Sequence, residues 1–185
     1  MNFEELDIKG AWIARSAVHQ DKRGNFREWF KREEVNRAIG LDFDVAQANV
    51  STSNKGVLRG IHYSLVKSGQ GKWITCNAGA IWDVVVDIRP ASPTFKKWIG
   101  VELSGSSGDA LIISEGLGHG FLSLQDDSIV TYLLTSEYSP SDEFEISPLD
   151  PSLAIEWPVN NLVLSEKDRL APTLEEQRFA GNLYS

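Results

Sequence analysis

Hydrophobic and polar positions alternate most clearly along residues 80–89. Trp82, Val84, Val86 and Ile88 fall on one face of an extended chain, and Ile81, Asp83, Val85, Asp87 and Arg89 on the other. The period of two predicts a strand, paired as a hairpin with residues 72–76 through the turn Asn77-Ala78-Gly79. The first face reads as core; the second is mixed and suited to lining a pocket. Further strands are predicted over residues 11–19, 26–30, 98–103, 110–114, 121–124 and 129–135. The polar run Asp21-Lys22-Arg23-Gly24-Asn25 forms one turn, Ser104 to Asp109 another, and Gly116-Leu117-Gly118-His119-Gly120 a glycine-rich bend. Residues 31–39 followed by Gly40 predict a short helix closed by a left-handed glycine. Between residues 43 and 135 strands recur at intervals of roughly 8–12 residues, the spacing of a β-sandwich or barrel. Beyond Tyr138 the chain is irregular and punctuated by Pro140, Pro148, Pro151 and Pro158, as in a loop packed across a barrel. Thr173-Leu174-Glu175-Glu176 fits a capping box opening a last helix that ends at Gly181. No repeat or linker interrupts the pattern, so residues 1–185 are expected to form one domain.

Composition narrows the function. A chain of 185 residues with 42% hydrophobic side chains buries roughly 70% of the surface its unfolded form exposes, so a core needs no disulfide or metal staple. The lone Cys76 permits no intramolecular disulfide and suits a reducing cytoplasm. With 26 acidic against 18 basic residues the net charge is −8, which disfavours nucleic acid and anionic membranes as partners. An anionic ligand is expected to be small and met by a local basic pocket. The opening MNFEELDIKG lacks the basic and apolar regions of a signal peptide, and the nearly apolar stretch 81–88 is too short to span a bilayer.

The chain carries no phosphate loop ending in Lys-Ser/Thr, no dinucleotide fingerprint and no G-x-S-x-G elbow. His19, His62 and His119 stand too far apart for a metal motif, so no metal is expected. The densest polar constellation is Leu58-Arg59-Gly60-Ile61-His62-Tyr63. Local sequence alone makes His62 a structural histidine, although Arg59 on a buried strand calls for an anionic partner. Strict alternation would put Arg59 and His62 on opposite faces; a bulge at Gly60 would bring both into one pocket. Lys72 reads as a solvent or ligand lysine, His119 as a hydrogen-bonding strut and Tyr132 as a core tyrosine. Ser165 reads as a helix N-cap with Asp168 as its first-turn acid.

Taken together, several blocks resemble the dTDP-4-dehydrorhamnose 3,5-epimerase family. They are Asp21 to Glu28, Asn49-Val50-Ser51 leading to Gly56 to Tyr63, Gly69-Gln70-Gly71-Lys72, and Val84 to Arg89 with Ser92-Pro93-Thr94-Phe95. Gly118-His119-Gly120-Phe121, Tyr132, Tyr138-Ser139-Pro140, Asp150-Pro151, Ile155 to Pro158 and Leu164 to Asp168 follow in family order. The resemblance implies an all-β, cupin-type jelly-roll barrel with short flanking helices, dimeric, using no metal or organic cofactor. It implies a dTDP-linked 4-keto-6-deoxyhexose as substrate, inverted at carbons 3 and 5. By position His62 matches the general base, Asp168 the carboxylate orienting it, Lys72 the group facing the keto oxygen, and Tyr132 the acid on the opposite face. Arg23, Glu28, Gln47, Asn49, Arg59, His119, Tyr138 and Glu143 match positions around the sugar nucleotide, and Phe26 a ring supplied by the partner subunit. Two departures bear on stereochemistry: Tyr63-Ser64 where many members read Tyr-Gln, and Pro148-Leu149-Asp150-Pro151 in place of a tryptophan-containing run. The latter resembles the secondary-metabolite branch, in which some enzymes invert one centre, so a mono-epimerase is the alternative.

Overall fold

A computed structural model describes residues 1–40 and 42–184. The chain enters through β1 (Asn2–Glu5) and β2 (Ala11–Arg15), projects a small hairpin of β3 (His19–Asp21) and β4 (Gly24–Phe26), and forms α1 (Arg32–Ile39). The strands β5 (Gln47–Ser53), β6 (Leu58–Ser64), β7 (Lys72–Ala78), β8 (Ala80–Asp87) and β9 (Trp98–Ser104) come next. After them run β10 (Ala110–Ile113), β11 (Leu117–Ser123), β12 (Ser128–Leu134) and β13 (Glu143–Glu145), with α2 (Glu166–Arg169) and α3 (Leu174–Phe179) closing the chain.

Two antiparallel sheets, ordered β1-β2-β10-β7-β12-β5 and β13-β6-β11-β8-β9, face each other as a cupin-type jelly roll. Between them lies a core of Ile74, Cys76, Ile81, Val85, Leu111, Phe121 and Val130. The outer faces are covered as well. The C-terminal segment packs Ile146, Leu153 and Leu174 on Ile61, Tyr63, Val84, Val86 and Ile88 of the smaller sheet. Val35 of α1 and Phe43 pack with Trp73, Ile112 and Leu133 of the larger one. Among the described residues no helix is long and apolar enough to cross a membrane.

Several expectations change. Residues 72–76 and 80–89 do not pair as a hairpin: the chain crosses between the sheets at Gly79, so that β7 pairs with β10 and β12 while β8 pairs with β9 and β11. Both faces of β8 are buried: the apolar face points outward under the C-terminal segment, while the mixed face, with Ile81, Asp83 and Val85, looks into the barrel. Period-two alternation distinguishes the two faces of a strand but not which of them points inward once both are covered. The strand predicted over 11–19 ends at Arg15, and that predicted over 26–30 is cut to β4, because the Arg27 guanidinium anchors the departing chain on the Gly105 and Cys76 carbonyls. The glycine-rich bend is the first half of β11. Its glycines serve close approach: a Cβ on Gly118 would lie 2.6 Å from Ile61 Cγ2, and one on Gly120 2.8 Å from Ile61 Cδ1. The capping box at Thr173 and the left-handed closure of α1 at Gly40 form as predicted.

Candidate active site

The site begins with a register shift. His119 of β11 pairs with His62 of β6, and Phe121 pairs with Arg59, so two steps along β11 match three along β6. The extra residue falls in the Gly60 region, where φ is +116° and a Cβ would lie only 2.5 Å from Gly120 Cα, so only glycine fits. The bulge returns Arg59 to the face that carries His62, and both line a cavity of about 660 Å³ between the two sheets.

His62 and His119 enter this cavity from the smaller sheet, Lys72 and Tyr132 from the larger. His62 Nε2 lies 2.6 Å from Asp168 Oδ1. Asp168 is itself fixed: Ser165 Oγ donates to its Oδ2 at 2.9 Å, and its backbone N–H donates back to Ser165 Oγ at 3.0 Å. Helix capping and contact with His62 are therefore one arrangement, with Ser165 holding α2 and α2 holding the carboxylate. Burial pushes the Asp168 carboxyl upward, but the hydrogen bonds and charge of His62, with Ser165 and the Gly60 amide, hold it below its ordinary value. An ionised carboxylate only accepts, so the His62 Nε2 carries hydrogen and a neutral ring keeps its lone pair on Nδ1.

Lys72 opens β7 and is buried, its Nζ donating to the His62 carbonyl at 3.3 Å. Burial drives its pKa down to about 8, opposed by the charges of Glu143 and Asp83. Tyr132 places its hydroxyl 3.5 Å from Ser51 Oγ; burial, with Asp83 adding to it, raises its pKa above the ordinary tyrosine value. Arg59 is braced by Ser53 Oγ and the Thr52 carbonyl at 3.1 and 3.4 Å. At the rim Gln47 links Asn49 to the Tyr138 amide. Glu143 accepts from Gln70 Nε2 at 3.3 Å.

Ten residues singled out by the sequence thus line one cavity: Gln47, Asn49, Arg59, His62, Lys72, His119, Tyr132, Tyr138, Glu143 and Asp168. Three do not. Arg23 folds back on Asp21 with its side chain 84% exposed, Phe26 is 66% exposed, and Glu28 pairs with Lys31. All three lie on or just after the β3–β4 hairpin and do not line the cavity of their own chain. Sequence reasoning also passed over Lys167, a cavity residue paired with Glu145 at 3.0 Å, and Asp83, bonded to His119. For Asp83 the signal was an acid on the mixed face of a core strand.

The sequence profile of dTDP-4-dehydrorhamnose 3,5-epimerases matches residues 5–176. The chain belongs to that family. It is an isomerase-type enzyme, 44% identical over 186 residues to the dTDP-4-dehydrorhamnose 3,5-epimerase of Mycobacterium tuberculosis, spanning 99% of this chain and 92% of the relative. A solved 4-keto-6-deoxy sugar epimerase from the novobiocin gene cluster of Streptomyces spheroides superposes with a TM-score of 0.97 at 43% identity, over 100% of this chain and 93% of the other. The 3′-monoepimerase from Streptomyces bikiniensis, solved with dTDP-quinovose, superposes with a TM-score of 0.92 at 45% identity, over 96% and 90% of the two chains. The epimerase family thus includes near relatives of both stereochemical outcomes.

Proposed function

We propose that the protein inverts carbons 3 and 5 of dTDP-4-dehydro-6-deoxy-D-glucose to give dTDP-4-dehydro-L-rhamnose, with no metal or organic cofactor. One observation carries the reading: an imidazole and a phenol enter a single cavity from opposed sheets, with a buried lysine beside them. A two-base inversion next to a ketone uses such an arrangement. His62, held by Asp168, removes the proton from the carbon alpha to the carbonyl; neutral imidazole has the basicity for that step near neutral pH. The resulting imidazolium is stabilised by the Asp168 carboxylate. Charge accumulates on the keto oxygen as the enolate forms, and the Lys72 ammonium meets it in a water-poor pocket. Tyr132 then returns a proton from the other face. Arg59 supplies the bidentate geometry a diphosphate favours, and Gln47, Asn49, His119, Tyr138 and Glu143 surround the sugar nucleotide.

The projecting hairpin supports a homodimer. Arg23, Phe26 and Glu28 lie outside the cavity of their own chain, and each would complete the site of a partner subunit.

Turnover in deuterated water, read by NMR, tests the reading. Deuterium is expected at both carbon 3 and carbon 5; label at one carbon only would make the protein a mono-epimerase. His62→Ala and Asp168→Ala should each lower exchange by roughly 10²-fold or more. Full exchange in Asp168→Ala would reduce that residue to a helix cap. Tyr132→Phe should keep exchange on the base's face while slowing net inversion.

A further inference from the structure

Asp83 is the most unusual polar group in the barrel. It sits on β8 with no solvent exposure, and its Oδ1 takes a hydrogen bond from the ring of His119, at Nε2. Its second oxygen, Oδ2, is buried with no hydrogen-bond partner among the described residues. The register explains the pairing. His119 of β11 stands opposite Val85, so Asp83, two residues earlier, is its diagonal neighbour on the barrel-facing side. On its other flank His119 stands opposite His62, and its ring packs edge-on against Tyr132 at 6.1 Å. A buried carboxylate with an idle oxygen is expensive to keep. Its charge nevertheless reaches the inward-facing groups of the opposite sheet: it supports the charged form of Lys72 and opposes ionisation of Tyr132.

The bond also dictates what His119 can offer. A carboxylate accepts, so Nε2 carries the hydrogen, and in the neutral ring Nδ1 keeps a lone pair. Nδ1 makes no protein hydrogen bond among the described residues and, unlike Asp83 Oδ2, is not sealed off from the cavity that His119 lines.

We propose that Asp83 is a positioning residue for the epimerisation. By accepting the Nε2 hydrogen of His119, it fixes the tautomer whose Nδ1 accepts a hydrogen bond from a hydroxyl of the hexose. Its carboxylate also directs negative charge from the smaller sheet toward Lys72 and Tyr132 on the larger one. This inference rests on the epimerase reading above and extends it to a residue that touches no substrate.

The isosteric variant Asp83→Asn tests it. An amide removes the negative charge, and with its N–H turned to Nε2 it moves the hydrogen onto Nδ1 and turns the acceptor facing the sugar into a donor. The expected result is a fall in kcat of roughly 10²-fold or more, since a histidine locked in the wrong tautomer loses most of its function. Affinity for dTDP alone, which lacks the hexose, should change by less than about threefold. Wild-type kcat in Asp83→Asn overturns the proposal, and so does a parallel loss of kcat and dTDP affinity, which marks a structural role. If the variant does not fold, ring ¹⁵N chemical shifts of His119 in the wild-type protein decide: hydrogen on Nε2 alone supports the proposal, and hydrogen on Nδ1, in a neutral or a doubly protonated ring, overturns it. Failure of the wild-type enzyme to exchange solvent hydrogen would sink the epimerase reading instead, and the ¹⁵N arm separates the two failures.

Discussion

At the scale of single residues, Lys72 shows how burial converts an ordinary side chain into a poised one. Loss of hydration lowers its pKa to about 8, with Glu143 and Asp83 resisting. An unfolded chain keeps that proton until about 10.5. The buried ammonium therefore works against folding below about pH 8, and the penalty fades as pH rises from there toward 10.5. In the proposed reaction the charged form is the useful one, so kcat/KM should decline above about pH 8, and Lys72→Met should abolish that limb while slowing turnover by roughly 10²-fold. A dianionic diphosphate bound nearby raises the lysine's affinity for its proton, so the alkaline limb of kcat should lie at higher pH than that of kcat/KM. Profiles of both constants across this range check the assignment; a kcat/KM that holds level to about pH 10 would remove Lys72 from it.

The elements carry the site through two glycine devices that local pattern conceals. Alternation alone separates Arg59 from His62, and the bulge at Gly60 reunites them. Gly60 and Gly24 both have strongly positive φ, +116° and +128°, but a Cβ at Gly60 meets Gly120 Cα at 2.5 Å while one at Gly24 meets nothing within 4 Å. Gly60→Ala should therefore destabilise the protein by about 2 kcal/mol or more, combining strain with collision. Gly24→Ala should cost only the conformational strain, about 1 kcal/mol. Urea denaturation of the two variants measures the difference, and equal costs would mean that close approach of β6 and β11 is unimportant. In the same way Gly118 and Gly120 read as a bend in the sequence because glycine marks both turns and tight packing. Only the presence of Ile61 across the strand distinguishes them.

For the whole molecule, the net charge of −8 contrasts with a cavity that gathers Arg59, Lys72 and Lys167 alongside Asp168 and Glu143. An acidic protein with such a cavity suits a small anion and repels extended ones. In the proposed homodimer a complete site spans two chains, and subunit complementation tests this. His62→Ala protomers mixed with Arg23→Ala protomers should regain activity, because each mixed dimer holds one site with intact His62 and intact Arg23. If Arg23 serves its own chain, every site in the mixture keeps one defect and activity stays low.

The sequence by itself determined the β-rich architecture, the family and most of the cavity's polar residues, because strand alternation, turn chemistry and ordered motifs are local properties of the chain. Tertiary structure decided the rest. Which face of β8 looks inward depends on the C-terminal segment that covers the other. The contact of Asp168 with His62 joins residues 106 positions apart, and Asp83 becomes notable only because packing buries one of its oxygens without a protein partner among the described residues. Such features arise from burial and from strands meeting across long sequence separations, and no reading confined to neighbouring residues contains them.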